Sequence, residues 1–220
     1  MKTNAELQKD VQDAIQYEPL LKAAEIGVTA KDGIVTLTGT VNSYAKKTEA
    51  ENAAKGVKGV KAVVEKIELT FGRDWTQRDD NEIAIEAVTA LKWNWRVPAD
   101  KVKVQVENGW VTLDGELSWH YQKEAAEDSI KRLLDVTGLT NKITIKSEIH
   151  DQIEAADIVR ALERTWSIHN EDITVSVSKN CVTLTGIVTS TYEKDEASRI
   201  AWKAPGVCAL KNNLVVEQAE

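Results

Sequence analysis

Cysteine is nearly missing from this chain. Cys181 and Cys208 are the only two in 220 residues, and neither stands in a C-x-x-C or zinc-type spacing. A disulfide framework and a Cys-based metal centre are thereby excluded. As small buried hydrophobes the two need no function, and a reducing compartment disfavours pairing them. Histidine is as scarce: His120, His150 and His169 are scattered, and none is paired at helical or strand spacing. The sequence therefore offers no metal site and implies no cofactor. No apolar run approaches the ~18–20 residues of a membrane-spanning helix. The eleven glycines are too dispersed for a phosphate loop.

A basic excess is also lacking. Residues 1–72 carry 10 basic and 10 acidic side chains, residues 73–148 carry 11 and 14, and residues 149–220 carry 7 and 11, for a total of −7. Nucleic acid, which needs a concentrated basic face, is excluded as a partner. Simple electrostatic adsorption to anionic lipid is excluded on the same ground. The N-terminus, Met1-Lys2-Thr3-Asn4-Ala5-Glu6-Leu7, shows no apolar h-region. The expected location is cytoplasmic if Met1 is the native start, and periplasmic if a leader has been removed.

What the chain does have is repetition. Asp32-Gly33-Ile34-Val35-Thr36-Leu37-Thr38-Gly39 returns as Asn108-Gly109-Trp110-Val111-Thr112-Leu113-Asp114-Gly115. It returns again as Lys179-Asn180-Cys181-Val182-Thr183-Leu184-Thr185-Gly186, at offsets of 76 and 71 residues. A period that long marks a small folded unit rather than one turn of a solenoid. Three copies follow, at 1–72, 73–148 and 149–220. Units this small bury only about 60% of their unfolded surface, so packing between them should matter.

Each copy opens with a capping-box pattern: Thr3-x-x-Glu6, Asp79-x-x-Glu82 and Asp151-x-x-Glu154. Asp79-Asp80-x-Glu82 reads as helix capping rather than a metal or acid/base cluster. Helical spacing follows in Leu7, Val11, Ala14 and Ile15, in Ile83, Ala87, Ala90 and Leu91, and in Ile158, Ala161 and Leu162. Pro19 and Pro98 fit helix stops. Alternation then predicts a strand through Ile26, Val28 and Ala30, with counterparts Val102, Val104, Val106 and Ile173, Val175, Val177. Asp32-Gly33 and Asn108-Gly109 are two-residue hairpin turns. Lys179-Asn180 predicts a different or more strained turn.

The second strand buries Val35, Leu37 and Val41, with Val111, Leu113, Leu117 and Val182, Leu184, Val188 as counterparts. Gly39, Gly115 and Gly186 interrupt that face and predict a close approach of other backbone, expected to be the second helix. That helix carries Ala50, Ala126 and Ala197, with Lys47, Lys123 and Lys194 also coinciding. Gly59 and Gly206 precede the third strand, where copy two has Asp135. The fold class is α+β: three tandem two-layer α-β-β-α-β sandwiches, each a small mixed sheet covered by two helices on one face. Thr36, Thr112 and Thr183 line the other face. The linkers Phe71–Arg78 and Ser147–Asp151 lack Gly/Ser-rich stretches, which predicts restricted motion.

This order, with the D-G-x-V-x-L-x-G strand and the later Gly59-Val60, resembles the BON domain (bacterial OsmY and nodulation), also described as transport-associated. The resemblance covers nearly the whole chain as three copies. It implies a non-enzymatic binding or scaffold module, phospholipid- or envelope-binding and linked to osmotic or other stress. The competing reading is a cytoplasmic protein-interaction or chaperone-like stress module with no lipid ligand. No catalytic residue is expected, since no copy carries a nucleophile or base with an orienting partner.

The seven tryptophans are the unusual feature. Trp93, Trp95, Trp119 and Tyr121 are expected to form an amphipathic contact surface on copy two, for lipid or a protein partner. The alternative is that the tryptophans, Trp75, Trp110, Trp166 and Trp202 included, fill gaps between copies.

Overall fold

The computed structural model describes residues 2–22, 25–70, 78–146, 154–165 and 173–217. The linkers at Phe71–Gln77 and Ser147–Asp151, together with Trp75, Trp166, His150 and His169, lie outside the described residues. Each copy forms the expected element order. Copy one has α1 (Asn4–Gln16), β1 (Ile26–Lys31), β2 (Ile34–Val41), α2 (Tyr44–Lys55) and β3 (Ala62–Leu69). Copy two has α3 (Asp80–Trp93), β4 (Val102–Glu107), β5 (Trp110–Leu117), α4 (His120–Lys131), β6 (Gly138–Asn141) and β7 (Thr144–Ile145). Copy three has α5 (Ala155–Glu163), β8 (Ile173–Ser178), β9 (Cys181–Val188), α6 (Thr191–Ala201) and β10 (Ala209–Val216).

Two of the three predicted capping boxes form. Thr3 and Asp79 accept the N–H of Glu6 and Glu82, whose carboxylates bond back to the cap N–H. The third does not form as expected: α5 starts later, and Glu154 itself occupies the N-cap position without a side-chain cap bond. Asp151 lies outside the described residues.

In each sheet the second strand is central. It pairs antiparallel with the strand before it, Val28 facing Leu37 and Val104 facing Leu113. On its other side β5 runs parallel to β6 and β7, and β9 runs parallel to β10. Val35, Leu37 and Val41, with their counterparts in β5 and β9, are fully or almost fully buried beneath the helices. Each such side chain stabilises the fold by roughly 1.5–3 kcal/mol. Copy two departs in its third strand, which breaks at Lys142–Ile143 into β6 and β7.

The central-strand glycines have a different cause from the one expected. A Cβ on Gly39 would fall 2.0 Å from the Glu25 carbonyl oxygen, and one on Gly115 2.2 Å from that of Lys101. The close approach is the backbone entering the first strand, not the second helix. Both glycines also hold positive φ, 130° and 150°. The hairpin turns behave as predicted in copies one and two. Lys179 and Asn180 keep the same left-handed geometry (φ 49° and 63°) without a glycine, the strained option. Asn180 Nδ2 relieves it by donating to the Gly206 carbonyl at 2.8 Å. Asp135 likewise keeps the left-handed conformation of Gly59 and Gly206 (φ 63°). It is 2% exposed, with Arg78 Nε 3.7 Å from its carboxylate.

The chain clusters into two compact units. One joins copies one and three; the other joins copy two with Val41–Lys47. Within the first, Thr191 Oγ1 donates to the Val60 carbonyl at 2.8 Å, and Gly59 N–H to the Thr189 carbonyl at 3.4 Å. Asp195 on α6 lies close to Lys55 and Glu51 on α2. Burial raises its carboxyl pKa against the pull of Lys55 and Lys194. Within the second unit, Tyr44 packs against the core of copy two.

Gly115→Ala is expected to destabilise the protein by at least about 2 kcal/mol, because strand, carbonyl and φ all oppose a Cβ. Gly56→Ala, whose Cβ would meet only ordinary contacts at 3.4 Å or more, is expected to stay within about 1 kcal/mol of the parent. Urea denaturation of both variants checks the contrast.

Candidate functional site

α3 ends at Trp93 because Asn94 leaves helical geometry (φ −87°, ψ 101°) while its N–H still reaches the Ala90 and Leu91 carbonyls. The Asn94 side chain turns inward. Its Nδ2 donates to the Ala125 carbonyl at 3.3 Å and to Ser129 Oγ at 2.9 Å on α4, and its Oδ1 accepts the Arg96 N–H at 3.1 Å. Buried Val97 closes the turn. Asn94 and Val97 thus fasten the segment from below, and the residues flanking Asn94 face outward. Trp93 is 83% exposed and Trp95, two residues past the helix, is 89% exposed.

Trp119 and Tyr121 bracket the start of α4, where Gln122 Oε1 accepts the Trp119 N–H at 3.1 Å. Their ring centroids are 6.4 Å apart at 33°. The Arg96 guanidinium carbon lies 5.9 Å from the Tyr121 centroid, a cation–π distance. The structure therefore brings Trp119 and Tyr121 together and links them through Arg96 to the turn that carries Trp93 and Trp95. Trp93 and Trp95 stack on no ring among the described residues.

Sequence reasoning missed Arg96, the anchor Asn94, and two outward apolar residues of α3. Ile85 is 67% exposed and Val88 39% exposed. At the 76-residue offset copy one has Lys9 and Gln12 there, and Tyr17 at the Trp93 position. Comparing outward positions copy by copy would have found them. Trp110 lies on the Thr-lined sheet face as expected, 49% exposed.

Two of the three coincident lysines, Lys123 and Lys194, tie helix to strand instead of offering free charge. Lys123 Nζ donates to the Ile143 carbonyl at 2.6 Å, and Lys194 Nζ to the Leu214 carbonyl at 2.7 Å. Burial lowers the Lys123 pKa, partly offset by Glu127. Asn141 and Asn212 complete the tie: each Nδ2 donates to the carbonyl of that same lysine, at 3.3 and 2.8 Å. The exposed cations at the site are Lys92 and Arg96.

Among the described residues, no cluster of three or more His, Cys, Asp or Glu side chains is placed to hold a metal ion, and no helix is long and apolar enough to cross a membrane. Cys181 and Cys208 are free thiols, half-buried.

A family model described as "BON domain" matches residues 3–70, 79–147 and 150–218. Osmotically-inducible protein Y of Escherichia coli (strain K12) is 30% identical over 129 residues, covering 57% of this chain and 64% of that protein. The chain thus spans just under two thirds of the curated relative that it matches. Two solved structures of CdsD, a structural protein of the type III secretion system of Chlamydia trachomatis, are each 20% identical. They cover 96% and 98% of this chain and 92% and 100% of theirs. Their TM-scores of 0.26 and 0.27 are too low to support a comparison of folds.

His120, the first residue of α4, sits beside this surface with its charge removed. Burial and then repulsion from Lys123 lower its pKa to about 4, with Glu127 opposing. Glu124 lies 3.7 Å from Nδ1, too distant and too exposed to reverse the effect. His120 is therefore neutral at pH 7. Between pH 6.5 and about 4 the unfolded chain takes up a proton that the folded chain refuses, so stability falls as pH falls through that window. Thermal melts at pH 7.5 and 4.5 are expected to show a smaller loss for His120→Gln than for the parent.

Proposed function

The chain belongs to the BON domain family, and from that premise we propose that it is a non-enzymatic binding protein whose second copy meets phospholipid through Trp93 and Trp95. The observation that carries this reading is the run Lys92-Trp93-Asn94-Trp95-Arg96. Two indoles stand almost fully in water, pinned by Asn94, with a cation on either side. Apolar surface left in water costs about 25 cal/mol per Å². At a bilayer boundary an indole sits at headgroup depth, and flanking Lys and Arg stems extend their charges to the phosphates. Ile85 and Val88 enlarge the apolar side of α3.

A net charge of −7 makes aromatic insertion, not overall attraction, the source of affinity. A fastened turn also loses little conformational freedom on binding. The description of the Escherichia coli relative as osmotically inducible supports a role for this chain in the response to osmotic stress.

Co-sedimentation with vesicles of phosphatidylcholine alone, and with phosphatidylglycerol added, tests this. The parent is expected to sediment with both. Trp93→Ala with Trp95→Ala is expected to weaken partitioning at least about tenfold, equivalent to ~1.4 kcal/mol. Lys92→Gln with Arg96→Gln is expected to remove only the gain from the anionic lipid. A parent that sediments with neither vesicle would refute the lipid reading, and a double tryptophan variant that binds as well as the parent would refute this surface.

A further inference from the structure

Trp110 opens the central strand of copy two on the sheet face away from the helices. Its indole is fixed at two points. The benzo edge lies over Gly138 of the neighbouring strand, where a Cβ would fall 2.3–2.8 Å from three ring carbons. The ring N–H donates to Thr140 Oγ1 at 2.9 Å. The indole therefore lies along β6 with one side against the sheet and the other open to water, and it is 49% exposed. Its single hydrogen-bond donor is already used, so the open side offers π surface alone.

The pairing belongs to copy two. At the same offsets copies one and three have Ile34 with Ala62 and Cys181 with Ala209. Aliphatic or thiol cover is enough to close those sheets, and an aromatic laid over a glycine exceeds what packing requires.

The residues around the ring are of one kind. Glu107 stands directly across from Trp110, Gln105 across from Thr112, and Thr112 beside Thr140. One row further along, Lys103 faces Asp114. Gln105, Glu107 and Asp114 are exposed, and Thr112 and Thr140 half-exposed. No second aromatic or aliphatic side chain adjoins the ring in these rows. This arrangement does not suit a lipid surface, which would want a cationic rim. A protein hot spot, which would want an apolar surround, fits no better. Glu107 and Asp114 repel polyanions. They accept hydrogen bonds from hydroxyl groups without a charge cost, and the Gln105 amide both donates and accepts.

We propose that the Trp110 face is a carbohydrate-binding site for a neutral pyranose chain. The apolar face of one sugar ring stacks on the indole. Its hydroxyls and those of the next ring meet Glu107, Gln105, Thr112 and Asp114. From Trp110 to Asp114 the strand runs roughly 13 Å, room for a short oligosaccharide. This site is separate from the Trp93–Trp95 surface and does not depend on the lipid reading.

Affinity electrophoresis tests the proposal. The full chain is run in native gels cast with a neutral β-glucan, xylan, glucomannan or dextran, against a gel without polysaccharide. At least one neutral polysaccharide is expected to retard the parent. Trp110→Ile, which places copy one's residue there and keeps the sheet covered, is expected to lose the retardation while melting within a few degrees of the parent. Trp110→Phe is expected to keep part of it, and Gln105→Ala to weaken the apparent affinity about tenfold. Trp93→Ala with Trp95→Ala is expected to leave it unchanged. The proposal is overturned if no neutral polysaccharide retards the parent, or if Trp110→Ile is retarded as strongly.

Discussion

Everything in one copy hangs on its central strand being bonded along both edges. β2, β5 and β9 each hold an antiparallel partner on one side, and for β5 and β9 the parallel partner is set residue by residue on the other. A strand caught this way has no freedom of register, since a slip of one residue would exchange its buried and open faces. Val111, Leu113 and Leu117 must then face the helices, and Trp110, Thr112 and Asp114 the opposite side. The same constraint puts Trp110 at one end of β5 and Trp119 just past the other. One strand thus positions Trp110 and Trp119 at its two ends.

Two devices hold that strand against its neighbours. At Gly115 the missing Cβ admits the Lys101 carbonyl, which lets the incoming strand start at the right height. On the opposite edge, Lys123 reaches down from α4 to the Ile143 carbonyl and Asn141 reaches back up to the Lys123 carbonyl. Copy three repeats the second device with Lys194, Leu214 and Asn212. A lysine here is worth more for its reach than for its charge. In copy two it satisfies a carbonyl at the break between β6 and β7, and an unpaired buried carbonyl would be costly.

Local chemistry was readable from the sequence and non-local chemistry was not. Alternation in Val35-x-Leu37, the Asp32-Gly33 turn and the Thr3–Glu6 cap depend on neighbours a few residues away, and each forms as read. The sequence shows that Gly39 needs space, but its neighbour Glu25 is brought to it by pairing, and nothing local distinguishes that backbone from the second helix. The lysines coincide in the sequence, but the acceptors of Lys123 and Lys194 lie 20 residues on. Trp93, Trp95, Trp119 and Tyr121 stood out by type. Arg96 becomes notable only once Tyr121 is beneath it, and Ile85 only once the core is known to take Ile83, Ala87 and Leu91.

Small size explains why the copies diverge where they do. A unit of about 70 residues is marginal by itself, so its core positions have little latitude and vary little. Asp135 shows how tightly: where glycine is lost before the third strand, the left-handed backbone remains and Arg78 is placed beside the buried carboxylate. The residue opening the second helix is freer, and it differs in every copy. Tyr44 packs against the core of copy two, and Thr191 hydrogen-bonds the Val60 carbonyl of copy one. His120 is held neutral by burial. In two of the three copies, then, this corner supplies burial or hydrogen bonding to a copy other than its own. A chain of marginal units stabilised through such corners keeps its outward faces free to change. The apolar face of α3 and the Trp110 side of the sheet in copy two are what such freedom produces.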